Sequence, residues 1–186
     1  MAGALLLTTA ILARKKGNAL RTGGHCPLFV RRGRFRIVES GAFWVSHRPQ
    51  KPNSVLIGTW LPRIVNWVRL EELKTGRRVT IFNTHLDWWF LAHRRSAKIL
   101  ARELGRSYDG SPQILMGDFN ATPESALYRV LISEAQRTGA PFCDAWQRAA
   151  EKSGPQETYH GGDGEGCFPG RVDHILLRPT AKIECA

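Results

Sequence analysis

Three short segments hold the side chains of this sequence that could do chemistry: Ile81-Phe82-Asn83-Thr84-His85-Leu86-Asp87, Ile114-Leu115-Met116-Gly117-Asp118-Phe119-Asn120 and Arg171-Val172-Asp173-His174-Ile175-Leu176-Leu177. Each runs apolar, as a strand does, and delivers polar residues at or near the strand end, where loops on a rigid scaffold commonly carry function. His and Asp at such positions can exchange protons, and Asn can hold a polar group by its amide. Singly, each segment also reads as a turn-former or helix cap, so the chemistry rests on taking the three together.

The elements that must position these residues follow from period and punctuation. Arg34 to Val38, Ala42 to Ser46 and Ile64 to Glu71 are short β-type runs rich in Phe, Trp, Val and Ile. Lys74-Thr75-Gly76-Arg77 makes a tight connection, with Gly76 free to take a positive φ, and Arg78 to Asn83 returns as the second strand of a hairpin. Between Leu91 and Leu104 the period becomes helical: Ala92, Ser96, Ile99, Leu100 and Leu104 share a face, while Arg94, Arg95, Lys98 and Arg102 point elsewhere and read as a solvated face or, second, as phosphate contacts. Ile114 to Met116 is a buried strand, Thr122-Pro123-Glu124 opens a helix to about Gln136, and Val172 to Leu177 is the last strand. Mixed β and α along one chain predicts an α/β or α+β fold.

At 186 residues the chain fits one domain able to bury roughly 70% of its unfolded surface. A 42% hydrophobic and 23% charged composition excludes disordered, collagenous and polytopic membrane classes. The formal charge of +11 favours anionic partners: nucleic acid, phosphorylated metabolites or acidic lipid, among which charge does not choose. Cys26, Cys143, Cys167 and Cys185 show no zinc or Cys-x-x-Cys spacing and read as separate thiols in a reducing, cytoplasmic compartment. Ala2 to Ala13 is an apolar run of twelve followed by Arg14, Lys15 and Lys16, shorter than the ~20 residues of a membrane span and with its charges on the wrong side for a secretory signal. Residues 1–20 therefore stand apart, as a weak anchor or a non-native start.

In this order the three segments resemble the endonuclease/exonuclease/phosphatase family, whose pattern runs Asn-Thr-His-Leu, then Gly-Asp-Phe-Asn, then a strand with Asp in a context like Arg-Ile-Asp-Tyr-Ile-Leu. The segments from His25 to Phe29, Ser40 to Ser46, Trp60 to Arg63 and Thr158 to Gly161 are also similar to small bacterial-type members, so the resemblance covers roughly residues 21 to 179. It implies a DNase I-like sandwich of two mixed β-sheets flanked by helices, and hydrolysis of a phosphodiester or phosphomonoester with Mg2+ or Mn2+ as cofactor. By the resemblance, Asp118 orients or deprotonates the attacking water and ligates the metal, and Asn120 holds the water or phosphate. His85 donates to a phosphate oxygen or the leaving group, Asp173 orients a second histidine, and Asn83 and His160 contact substrate.

Family members open with an Asn strand and a helix ending in a metal-binding Glu, and close with Ser-Asp-His. Neither pattern is found here, so the expectation is a partial domain over residues 21–186. His174 cannot replace the second histidine, because strand alternation sends it to the face opposite Asp173. The competing expectation is a non-catalytic basic module that binds nucleic acid or another polyanion. Asp87 reads as a metal or substrate ligand or as a loop carboxylate, and His160 as a pocket or turn residue. Trp88-Trp89-Phe90 reads as an aromatic platform or as packing for the following helix. His25, His47 and His93 read as surface or core histidines.

Overall fold

Alternation along the strands decides which face each side chain serves: in the strand ending at His85, Thr80, Phe82 and Thr84 are buried, while Ile81, Asn83 and His85 are only half-buried on the other face. The computed structural model describes residues 8–11, 26–137, 141–159 and 170–179. Its elements run β1 (Thr8–Ile11), β2 (Leu28–Arg31), β3 (Phe35–Trp44), β4 (Ile64–Glu72), β5 (Arg78–His85), α1 (Phe90–Arg106), β6 (Gln113–Asp118), α2 (Ala126–Arg137), β7 (Cys143–Asp144), α3 (Ala145–Arg148) and β8 (Asp173–Arg178).

Six strands form one mixed sheet in the order β3-β4-β5-β6-β8-β7. Among the described residues only β5 and β6 pair in parallel, and α1 supplies the crossover that a parallel pair needs. The buried face of α1, carrying Ala92, Ser96, Ile99, Leu100 and Leu104, is the expected one, and Arg94, Arg95, Lys98 and Arg102 are exposed. Phe82, Leu115 and Leu176 of the sheet join Leu100, Leu104, Leu127 and Leu131 of the helices in one core. On the opposite face β1 and β2 form a separate two-stranded antiparallel sheet, with Leu28 and Val30 packed on Val68 and Leu70. The layered α/β architecture stands, with the smaller sheet antiparallel rather than mixed among the described residues. Thr8–Ile11, within the segment that composition sets apart, pairs in register with Leu28–Arg31.

Three local expectations change. The two runs before Ser46 are one strand, β3, bent by a register shift between Ile37 and Glu39; Gly41 stays inside it. The second helix begins at Ala126 rather than Pro123, because Ser125 Oγ accepts the Tyr128 N–H and takes the capping role given to Thr122. Cys143 is disulfide-bonded and Cys26 is a buried free thiol, against the expectation of separate thiols throughout. Sequence spacing does not tell which cysteines a fold brings within bonding distance. Among the described residues no helix is long and apolar enough to cross a membrane.

The edge near β8 is fastened by a buried ion pair. Arg171 donates to both oxygens of Asp144, at 3.2 and 2.5 Å, while Tyr128 Oη and the Trp146 N–H donate to the same carboxylate at 2.8 and 2.9 Å. The two charged side chains are 5% and 1% exposed, so neither has water to fall back on. Burial opposes ionisation of Asp144, but His174, Arg171 and Tyr128, all turned toward it, outweigh burial and hold its carboxyl well below the usual range. One network thus ties α2, α3 and β7 to the strand that carries Asp173.

Asp144→Ala strands the Arg171 guanidinium and lowers unfolding free energy by about 3–5 kcal/mol in urea titration. Because the folded-state pKa of Asp144 is depressed, its contribution is complete above the ordinary Asp value near ~4 and fades as pH falls below it; Asp144→Asn flattens that acid limb. Gly117 has φ +129°, and a Cβ placed there meets the Thr84 carbonyl oxygen on the neighbouring strand. Gly117→Ala costs about 1–3 kcal/mol for the backbone conformation alone, and more because the β5–β6 approach must widen; a lowered midpoint in thermal melting checks it.

Candidate active site

Parallel pairing in register brings His85 and Asp118 side by side at the C-terminal ends of β5 and β6. Antiparallel pairing then sets Asp173, the first residue of β8, opposite Asp118. Directly paired residues present their side chains on one face, so His85, Asp118 and Asp173 share the face turned away from the helices. His85 Nε2 lies 3.3 Å from Asp118 Oδ2, and the two side chains are 44% and 32% exposed. Imidazole and carboxylate therefore face each other where water can reach both.

The loop after β6 holds this couple through backbone bonds. The Leu86 N–H donates to the Asp118 carbonyl at 2.8 Å, and Asn120 Nδ2 donates to the Leu86 carbonyl at 2.9 Å. The Asn120 N–H donates to Asp118 Oδ1 at 2.7 Å, fixing the carboxylate with its other oxygen toward His85. Asn120 takes φ 48°, a left-handed conformation that Asn tolerates better than most residues. Phe119 between them is fully buried, and its N–H donates to the Val172 carbonyl at 2.8 Å. Thr158 Oγ1 accepts the N–H groups of Val172 and Asp173, each at 3.1 Å, and so steadies the start of β8.

The structure therefore gathers His85, Asp118, Asn120 and Asp173 at one end of the sheet. Asn83 sits two residues before His85 on the same face, with its Nδ2 donating to the Pro27 carbonyl at 3.0 Å. Together with Gly117, Thr158 and Asp173 it borders a depression of about 630 Å3. His160 lies outside the described residues, as does His25. His174 is 2% exposed on the helix side, where its Nε2 meets the Ala121 carbonyl at 2.8 Å and its ring packs on Phe119 and Tyr128, in keeping with its exclusion as the partner of Asp173. His47 is exposed, and His93 is buried, its burial pushing the imidazole toward the neutral form.

Asp87 is a structural carboxylate. Its Oδ1 accepts the Trp89 N–H at 3.0 Å and its Oδ2 lies 3.4 Å from Arg63 Nε, leaving it 7% exposed. Sequence reading assigned no role to Arg63, because its partner is 24 residues away across the β4–β5 hairpin. Burial pushes the Cys26 thiol up, and the same thiol bonds the His85 backbone and feels the charges of Arg63 and Asp118. Among the described residues no three His, Cys, Asp or Glu side chains cluster as a ready metal cage. The donor set at the sheet end is carboxylate oxygen, which suits a hard divalent cation that keeps most of its waters.

The pattern of the Endonuclease/Exonuclease/phosphatase family matches residues 6–186. No curated protein matches. Among solved structures, a family protein from Bacteroides thetaiotaomicron is 31% identical over 83% of this chain and 54% of its own, with a TM-score of 0.72. One from Bacteroides vulgatus is 25% identical over 92% and 65%, with a TM-score of 0.76. A mannosyl-6-phosphatase from Bacteroides thetaiotaomicron is 29% identical over 92% and 63%, also at 0.76. The chain thus spans between about half and two thirds of the length of these structures. With that match over nearly its whole length, and with a six-stranded mixed sheet backed by helices in the DNase I-like manner, the chain belongs to the endonuclease/exonuclease/phosphatase family.

Proposed function

We infer that this chain is a metal-dependent phosphoesterase, and the observation that carries the reading is the His85–Asp118 contact of 3.3 Å at paired, solvent-accessible strand ends. In-line hydrolysis needs an oriented water, a group to take its proton, and a donor for the leaving oxygen. Asp118, held by the Asn120 N–H, accepts the proton of the attacking water. The water oxygen bonds to phosphorus as the ester oxygen departs, and His85 supplies the proton that oxygen needs. Asn120 serves this step chiefly by fixing the loop, since its amide nitrogen already donates to Leu86.

Asp118 and the carboxylate of Asp173 opposite are the residues that would hold Mg2+ or Mn2+, in keeping with the habit of magnesium to take one or two carboxylates, several waters and substrate phosphate oxygens. When bound, such an ion neutralises charge developing on the phosphoryl oxygens. The surplus of basic side chains, +11 overall, draws phosphate-bearing substrates toward the chain.

The test is hydrolysis of bis(p-nitrophenyl) phosphate and of p-nitrophenyl phosphate with magnesium, with manganese and with EDTA. Turnover is expected with either ion and lost in EDTA, and Asp118→Asn and His85→Ala are each expected to lower kcat by at least ~10²-fold. Turnover that ignores both substitutions removes the site assignment. Salt-sensitive binding of nucleic acid without turnover in either ion replaces the reading with the non-catalytic basic module.

A further inference from the structure

Asp87, two residues beyond His85, borders a cleft of about 490 Å3 that Trp60, Leu61, Arg63, Trp88 and Trp89 also line. The platform-or-packing alternative for the Trp88 cluster divides residue by residue. Trp89 packs against the main core, while Trp88 stands at 87° to it with ring centroids 5.6 Å apart and is 67% exposed. Trp60 is 92% exposed and Leu61 48%. Two indoles so open to water are not explained by packing, since each sacrifices an apolar surface that the core could have used.

The polar floor of the cleft has one unspent resource. Arg63 is 12% exposed at its side chain and uses Nε on Asp87, yet its two Nη groups make no hydrogen bond among the described residues. Arg63 lines the cleft, and Asp87, its partner there, follows His85 by two residues along the chain.

We propose that this cleft binds the organic group of the substrate, and that this group is a nucleobase stacked on Trp60 or Trp88 with Arg63 Nη donating to a ring nitrogen or carbonyl. The assignment rests on the phosphoesterase reading of the His85–Asp118 couple and adds the substrate class. A nucleobase needs flat apolar faces and a few in-plane partners, which is what two exposed indoles and one guanidinium offer. A pyranose brings a ring of hydroxyls, each needing a partner, whereas both oxygens of Asp87 are already engaged.

The test compares adenosine 5′-monophosphate with glucose 6-phosphate by calorimetric titration in EDTA, so that both probes carry the same phosphomonoester and neither is turned over. The nucleotide is expected to bind at least about tenfold more tightly, and at least one of Trp60→Ala and Trp88→Ala to lower its affinity about tenfold while leaving glucose 6-phosphate unchanged. Trp60 is nearly fully exposed, so its substitution does not threaten folding, and far-ultraviolet circular dichroism verifies this for both variants. Equal affinity for the two probes, preference for the sugar phosphate, or nucleotide binding that ignores both substitutions overturns the proposal. Asp118→Asn keeps the two readings distinguishable. Nucleotide bound through the tryptophans in a chain without turnover defeats only the phosphoesterase reading, and turnover lost in Asp118→Asn with tryptophan-independent binding defeats only the cleft.

Discussion

The close approach of β5 and β6 is the constraint on which the rest depends. They are the one parallel pair among the described residues, and at Gly117 the two backbones lie so near that a side chain would strike the Thr84 carbonyl. A residue without Cβ at that point lets register run to the strand ends, and register is what sets His85 beside Asp118. The bonds beyond the strands, from Leu86 N–H to Asp118 and from Asn120 Nδ2 to Leu86, extend the same closeness into the loops. α1 enters the argument as the crossover that makes parallel pairing possible, and its buried face seals the side of the sheet away from the couple.

Much of this was legible in the sequence because it is local. The helical period of residues 91–104, the hairpin at Gly76 with its φ of 68°, and the delivery of His85, Asp118 and Asp173 at strand ends are properties of a few consecutive residues. The three segments together also identified the family. What escaped notice is long-range. Arg171 to Asp144 spans 27 residues and Arg63 to Asp87 spans 24, and no spacing rule pairs an arginine with one aspartate rather than another. The disulfide at Cys143 belongs to the same class of fact. The merged β3 strand was missed for a different reason: a β-bulge absorbs the phase shift that made the two runs look separate.

Among the aspartates near this end of the fold, the partner distinguishes structure from chemistry. Asp87 and Asp144 are buried, each faces an arginine, and each also accepts a backbone N–H. Such a carboxylate is spent, because releasing it would leave a buried guanidinium uncompensated. Asp118 also accepts a backbone N–H, yet its other oxygen meets the ring of His85, no arginine pairs with it among the described residues, and a third of it remains exposed. It is oriented without being neutralised, the condition under which a carboxylate can still take a proton or meet a cation. Sequence alone left Asp87 between a metal or substrate ligand and a loop carboxylate, and the cation opposite it settles that in favour of the loop carboxylate. The basic surplus of the chain is therefore distributed unevenly. Some arginines are consumed by structural acids, while the acid at the paired strand ends is kept clear of them, and that separation of charges lets a protein with a net +11 hold an available carboxylate at the end of its sheet.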